Sequence, residues 1–283
     1  MKLGPSKLYT VHDFDHPFGG SRAKLNRAYE LTALLEEETS NYLRGADKVY
    51  ELWLESSDDL RELHAMARLA LHPPLRFGIL LGEIVHHLRS ALDHTVWALA
   101  KRKVADPSER LQFPICTSAA GWENTLKNGA ISGVGKGAID LILQMQPFRQ
   151  AKPKDTVLAV IQQASNIDKH RVLLVVVAVA ALGDVVTVKD SPEFVGPKSP
   201  DSMSPTSIVG MAVPPFVVLG KDPASIFTMK FGSPNQDISI DVEVQLSLAV
   251  EKLGNTENVE LIQLVKMLHQ GVAHSIETLE AIL

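Results

Sequence analysis

The chain has 283 residues, a formal net charge of -5 and 22% charged side chains, which is enough length for one large or two small domains around a real core. With no basic excess, nonspecific coating of nucleic acid is excluded and only a local groove is left for such a partner. The single cysteine, Cys116, excludes an internal disulfide and any cysteine-based metal cluster within the chain, and its apolar setting after Phe113-Pro114-Ile115 marks it as a core residue.

Residues 1–20 are polar and broken by Pro5 and Pro17, so no secretory signal is expected there. The spacing of Leu25, Ala28, Leu31, Leu34 and Leu35 predicts a first helix over 21–43, ending near Gly45. A second helix is expected over 46–71, stopped by Pro73-Pro74, and a third over 75–103. Residues 104–119 read as a connection, and short helices are expected over 121–128 and 138–146, either side of a glycine-rich turn. Residues 155–182 read as one long apolar helix whose valine-rich last third has strand character. Its run from Val172 to Leu182, the longest apolar stretch, is about half the length needed to cross a bilayer. A cytoplasmic protein with no membrane partner is the expectation.

After Gly183 the pattern changes. Residues 184–189 alternate with period two, 191–207 form a Pro/Ser-rich loop, and 208–219, 225–231 and 238–250 read as strands. Residues 259–283 close the chain as an amphipathic helix. The predicted fold is therefore α+β: a helical bundle over 1–182, an antiparallel β region over 183–258, and a C-terminal helix over 259–283 packing back on the bundle.

The most informative stretch runs from Gly82 to Trp97. At helical pitch, Ile84, Val85, Leu88, Leu92, Val96 and Leu99 form a core face. Glu83, His86, His87, Ser90, Asp93, His94 and Trp97 share the opposite arc, with Arg89 at its edge. Three of the ten histidines fall here, beside two carboxylates and an arginine. A merely solvated face would carry Lys, Glu and Gln, because histidine forms helices weakly and solubilises little at neutral pH. A second polar cluster, Ser165-Asn166-Ile167-Asp168-Lys169-His170-Arg171, interrupts apolar sequence. Buried polar groups must be paired or face a cavity. Two readings stay open: a helix start or kink whose groups satisfy one another, or a cluster facing His86, Arg89 and His94 across the bundle to complete one pocket.

The motifs His86-His87-Leu88-Arg89-Ser90-Ala91-Leu92-Asp93-His94 with Trp97, Phe113-Pro114-Ile115, Gln146-Pro147-Phe148 and Asn166-Ile167-Asp168-Lys169-His170-Arg171 recur in this order over 78–175. They resemble a family of uncharacterised bacterial proteins with the pattern HNLRSALDHxxW … FPI … LQPY … SNxDKHR. This chain departs from it at His87, where the family has Asn, and at Phe148, where it has Tyr. That family brings no activity with it. More broadly, Arg89 followed by His94 resembles the signature of HEPN domains, helical bundles that include metal-independent ribonucleases. The resemblance implies a HEPN-like bundle, RNA cleavage by 2′-hydroxyl attack, a toxin or defence role, and a homodimer pairing two motifs. It makes His94 the general acid or base and Arg89 the phosphate clamp, which suits a histidine titrating near neutrality and a forked cationic donor.

The leading expectation is thus a hydrolase acting on RNA. Arg89, His94, Asp93 and His170 would be catalytic, while His86, Ser90, Asn166, Asp168, Lys169 and Arg171 bind substrate, with no cofactor. The first alternative is a metal-dependent enzyme on a small molecule, with Zn, Fe or Mn held by Glu83, His86, His87, His94 and His170. Glu83-x-x-His86 has di-iron spacing, but the sequence holds no second copy. The second alternative is a noncatalytic module binding a small anion. Against all three stands a purely architectural reading in which Arg89 pairs with Asp93 and His94 satisfies a buried carbonyl. The stretch Gly133-Val134-Gly135-Lys136-Gly137 lacks both the earlier glycine and the Ser/Thr of a phosphate-binding loop.

Overall fold

A computed structural model describes residues 16–45, 48–189, 208–214, 217–232, 234, 239–253 and 256–282. Six helices are described: α1 (Gly19–Arg44), α2 (Leu75–Lys101), α3 (Ala119–Lys127), α4 (Lys136–Gln144), α5 (Val157–Asp168) and α6 (Leu261–Glu280). Eight strands accompany them: β1 (Tyr50–Ser56), β2 (Glu62–Leu69), β3 (Val175–Lys189), β4 (Ile208–Ala212), β5 (Val217–Val218), β6 (Ala224–Phe231), β7 (Ser239–Leu253) and β8 (Thr256–Glu260). They form two antiparallel sheets, ordered β1-β2-β6-β4 and β5-β3-β7-β8. The fold is mixed α+β.

Contacts divide the chain into two units. The first contains the chain through Thr39, Pro74–Val175 and Val250–Leu283; the second contains Ser40–Pro73 and Val176–Ala249. This division is discontinuous, where the sequence reading expects one boundary after residue 182.

Three expectations need correction. The helix expected over 46–71 is instead the β1–β2 hairpin, in register from Tyr50↔Leu69 to Ser56↔Leu63. Leu63, Ala65, Ala67 and Leu69 are buried while their neighbours are not, a period of two that helix-forming Ala, Glu, Arg and Met conceal. The turn is tied by Ser57, whose hydroxyl accepts from the Glu62 amide at 2.9 Å. The long helix expected over 155–182 ends at Asp168, while the strand character of its valine-rich last third is borne out, since β3 starts at Val175. The strand expected over 208–219 is two strands, β4 and β5, in different sheets. The loop expected over 191–207 lies outside the described residues.

In the first unit, α1, α2, α5 and α6 pack together. The expected core face of α2 is buried: Ile84, Val85, Leu88, Leu92 and Val96 are at 0% exposure and Leu99 at 5%. Each fully buried Leu or Ile contributes about 1.5–3 kcal/mol relative to exposure, so this face is ample reason for the helix to dock. Pro74 precedes the first turn of α2, where a missing amide costs nothing. Thr156 caps α5 through the Ala159 amide, and Glu260 caps α6 through the Ile262 and Gln263 amides. The start of α1 is fixed by the Thr95 hydroxyl donating to Ser21 at 2.9 Å and by Arg22 paired with Glu280 at 3.0 Å.

His269 of α6 is buried, and its Nε2 donates to the Leu25 carbonyl at 3.1 Å. Burial holds its pKa below the ordinary histidine value, opposed by that hydrogen bond. The unfolded chain therefore takes up this proton first, so the stabilisation is complete above the unfolded pKa of about 6.5 and is lost as pH falls through the folded value. The urea midpoint is expected to drop between about pH 7.5 and about pH 5.5, and His269→Gln to make that drop shallower. An unchanged slope in the variant contradicts this assignment.

Candidate functional site

The polar stripe of α2 runs between the start of α1 and the end of α5, and glycines set both approaches. A Cβ on Gly82 would collide with the Asp168 carboxylate, and one on Gly78 would lie 2.6 Å from Val172 Cγ1 and collide with the Leu173 carbonyl. On the other flank, a Cβ on Gly20 would lie 2.5 Å from His94 Nδ1. The close passage of three chain segments thus depends on residues without side chains. The stripe is thereby divided into two cavities.

The first cavity, about 290 Å³, is lined by Ile79, Gly82, Glu83, His86, His87, Asp168 and Val172. Burial pushes the Asp168 carboxyl up; the charge of His86 opposes this and Glu83 adds to it. His86 and His87 meet edge to face with ring centroids 5.6 Å apart. Burial holds His87 below the ordinary value, reinforced by Lys24, His86 and Arg27 and opposed by Glu83. His87 Nδ1 is buried and has no hydrogen-bond partner among the described residues.

The second cavity, about 420 Å³, is lined by Asp93, His94, Trp97 and Leu111. His94 reaches solvent, but its inner edge packs on Gly20. Burial lowers its pKa, Lys24 lowers it further, and Asp93 works the other way. The neutral imidazole, the form that accepts a proton, is thereby favoured at neutral pH.

Arg89 has a different position. Its Nη2 donates to the Phe113 carbonyl at 2.8 Å and lies 3.1 Å from Asp93 Oδ1. Asp93 Oδ1 in turn accepts from the Phe113 amide at 2.7 Å. The Arg89 side chain is only 14% exposed, and its Nη1 is buried without a partner among the described residues. Burial pushes the Asp93 carboxyl up and works against the Arg89 charge, while their mutual attraction opposes both effects. The amide of Phe113 and the charges of His94 and Lys169 also favour ionised Asp93.

The same loop is held from its other side. Gln146, fully buried, accepts from the Cys116 amide at 2.9 Å and donates to the carbonyls of Pro114 at 2.9 Å and Ile142 at 3.0 Å. Three of the motifs singled out in the sequence therefore meet in one backbone clamp on residues 113–116. This architectural role is the i,i+4 pairing that the spacing of Arg89 and Asp93 allows.

The remaining candidates are spread out. Ser90 is half-buried and lines neither cavity. Asn166 is exposed and accepts from Gln162 at 3.1 Å. Lys169 caps the C-terminus of α5, and His170 and Arg171 follow it in an exposed turn. Among the described residues, no group of three His, Cys, Asp or Glu side chains is placed to hold a metal ion. Sequence reasoning missed Lys24, whose charge acts on both His87 and His94. It also missed Gly20, Gly78 and Gly82, although two glycines four apart on one helix face mark a close approach. The chain matches no family model, no curated protein and no solved structure.

Proposed function

We propose that the chain is a HEPN-like, metal-independent ribonuclease whose reactive residue is His94. The observation that carries this reading is the second cavity: an imidazole held toward its neutral form opens into about 420 Å³ together with a carboxylate and an indole. Neutral His94 takes the proton of a ribose 2′-hydroxyl, O2′ bonds to phosphorus, and the bond to the 5′-oxygen breaks. The products are a 2′,3′-cyclic phosphate and a 5′-hydroxyl, the leaving oxygen taking up a proton. The dimer implied by the HEPN resemblance would supply a second His94 for that last transfer.

Arg89 serves here as a positioning residue, since its guanidinium is committed to Phe113 and Asp93. Lys24 and Lys169, whose charges act on His94 and Asp93 respectively, are the cations available to offset charge on the phosphate. The test is incubation of single-stranded RNA with the full chain in EDTA, followed by end-group analysis. Cyclic phosphate ends, and no cleavage of the all-deoxy oligonucleotide, are expected. Cleavage of both, or ends bearing 3′-hydroxyl, overturns the mechanism.

A further inference from the structure

Trp97 is the half-exposed tryptophan of α2, a helix that also leaves Leu75 and Ile79 exposed. It is 48% exposed on a helix whose neighbouring Val96, Ala98, Leu99 and Ala100 are buried, whereas Trp122 is only 7% exposed. A half-exposed indole leaves apolar surface in water, and aromatic rings in that setting commonly serve as contact surfaces. The Lys101 ammonium lies 5.8 Å from the ring centroid, which makes the indole a cation-flanked platform. Trp97 lines the second cavity with Asp93, one helical turn earlier, and with Leu111 from the connection after α2.

Asp93 completes the argument. Both of its recorded partners, the Phe113 amide and Arg89 Nη2, meet Oδ1. Oδ2 has no hydrogen-bond partner among the described residues, and the side chain is 33% exposed. We infer that this cavity is a nucleobase site in which the ring stacks on Trp97 and its N–H donors meet Asp93. The inference rests on the ribonuclease reading of His94 and deepens it by naming the base. Guanine fits best, because it alone of the four RNA bases presents a ring N–H and an exocyclic amine side by side, so that both lone pairs of the one uncommitted oxygen, Oδ2, are used. Stacking alone is sequence-tolerant, so the preference comes from Asp93.

The test is tryptophan fluorescence of the full chain titrated with guanosine, inosine, cytidine and uridine 3′-monophosphates. Saturable quenching by the guanosine nucleotide is expected, with cytidine and uridine at least about tenfold weaker. Inosine, which lacks the exocyclic amine, is expected to fall between them and probes the carboxylate without altering the fold. Trp97→Leu is expected to abolish the quench. Equal quenching by all four nucleotides, or quenching that survives Trp97→Leu, overturns the inference. Guanosine binding by a chain that cleaves no RNA leaves the base site standing and removes the ribonuclease reading. Cleavage without any guanosine preference does the reverse.

Discussion

Gly78→Ala is expected to lower the stability of the protein by about 2 kcal/mol, read as a reduced urea midpoint at unchanged slope. Alanine in a helix interior gains up to about 1 kcal/mol over glycine, so an ordinary solvent-facing site would be stabilised. Here the new methyl meets the Leu173 carbonyl, a backbone atom, as well as Val172 Cγ1. Leu173 is itself 2% exposed, so the chain leading from α5 into β3 must shift as a packed piece. Overpacking of that kind costs about 1–3 kcal/mol and at times more, which outweighs the propensity gain. Gly82→Ala is the informative contrast, because its obstacle is the carboxylate of Asp168, the end of a side chain that rotates away. Its stability is expected to stay within about 1 kcal/mol of wild type, the helix gain offsetting the displacement. Asp168, once moved into water, is expected to titrate nearer the ordinary carboxylate range by NMR. A stabilised Gly78→Ala protein contradicts the close approach.

Asp93→Ala is expected to cost about 3 kcal/mol, because it removes the one anionic partner that the buried Arg89 guanidinium has among the described residues. Among the described residues, Arg89 Nη1 already lacks a partner, and the Phe113 carbonyl would be left as the one acceptor for Nη2. The Phe113 amide loses its acceptor as well. An uncompensated buried charge costs more than the pair contributes when intact, so Arg89→Met with Asp93→Leu should recover part of the loss. Urea denaturation of the single and double variants reads both numbers. A double variant no more stable than Asp93→Ala alone would show that the Phe113 clamp, not the charge, is what matters.

Much of the site was legible in the sequence because it lies on one helix. A single pitch separates the α2 residues Ile84, Leu88 and Leu92 from Glu83, His86, His94 and Trp97, and no tertiary information is needed to sort them. What lay beyond reach is the choice of neighbours. The stripe becomes two cavities because the end of α5 comes up against Gly82 while the start of α1 comes up against Gly20 at His94. The commitment of Arg89 to Phe113 depends on a loop some 24 residues away in sequence. Residues 46–71 read as a helix from their helix-forming composition, but over β1 and β2 cross-strand pairing in a period-two pattern overrides local propensity. The end of α5 carries no Gly or Pro stop; its polar cluster is the stop, with Lys169 as the cap.

The central claim is that His94 is the proton-transferring group of an RNA-cleaving site, and the rate of RNA cleavage by His94→Ala tests it most directly. Loss of a general acid or base costs about 100-fold to 10,000-fold, so a decrease of at least about 100-fold is expected, with the urea midpoint near that of wild type. Cleavage at the wild-type rate by a folded His94→Ala protein would contradict the account.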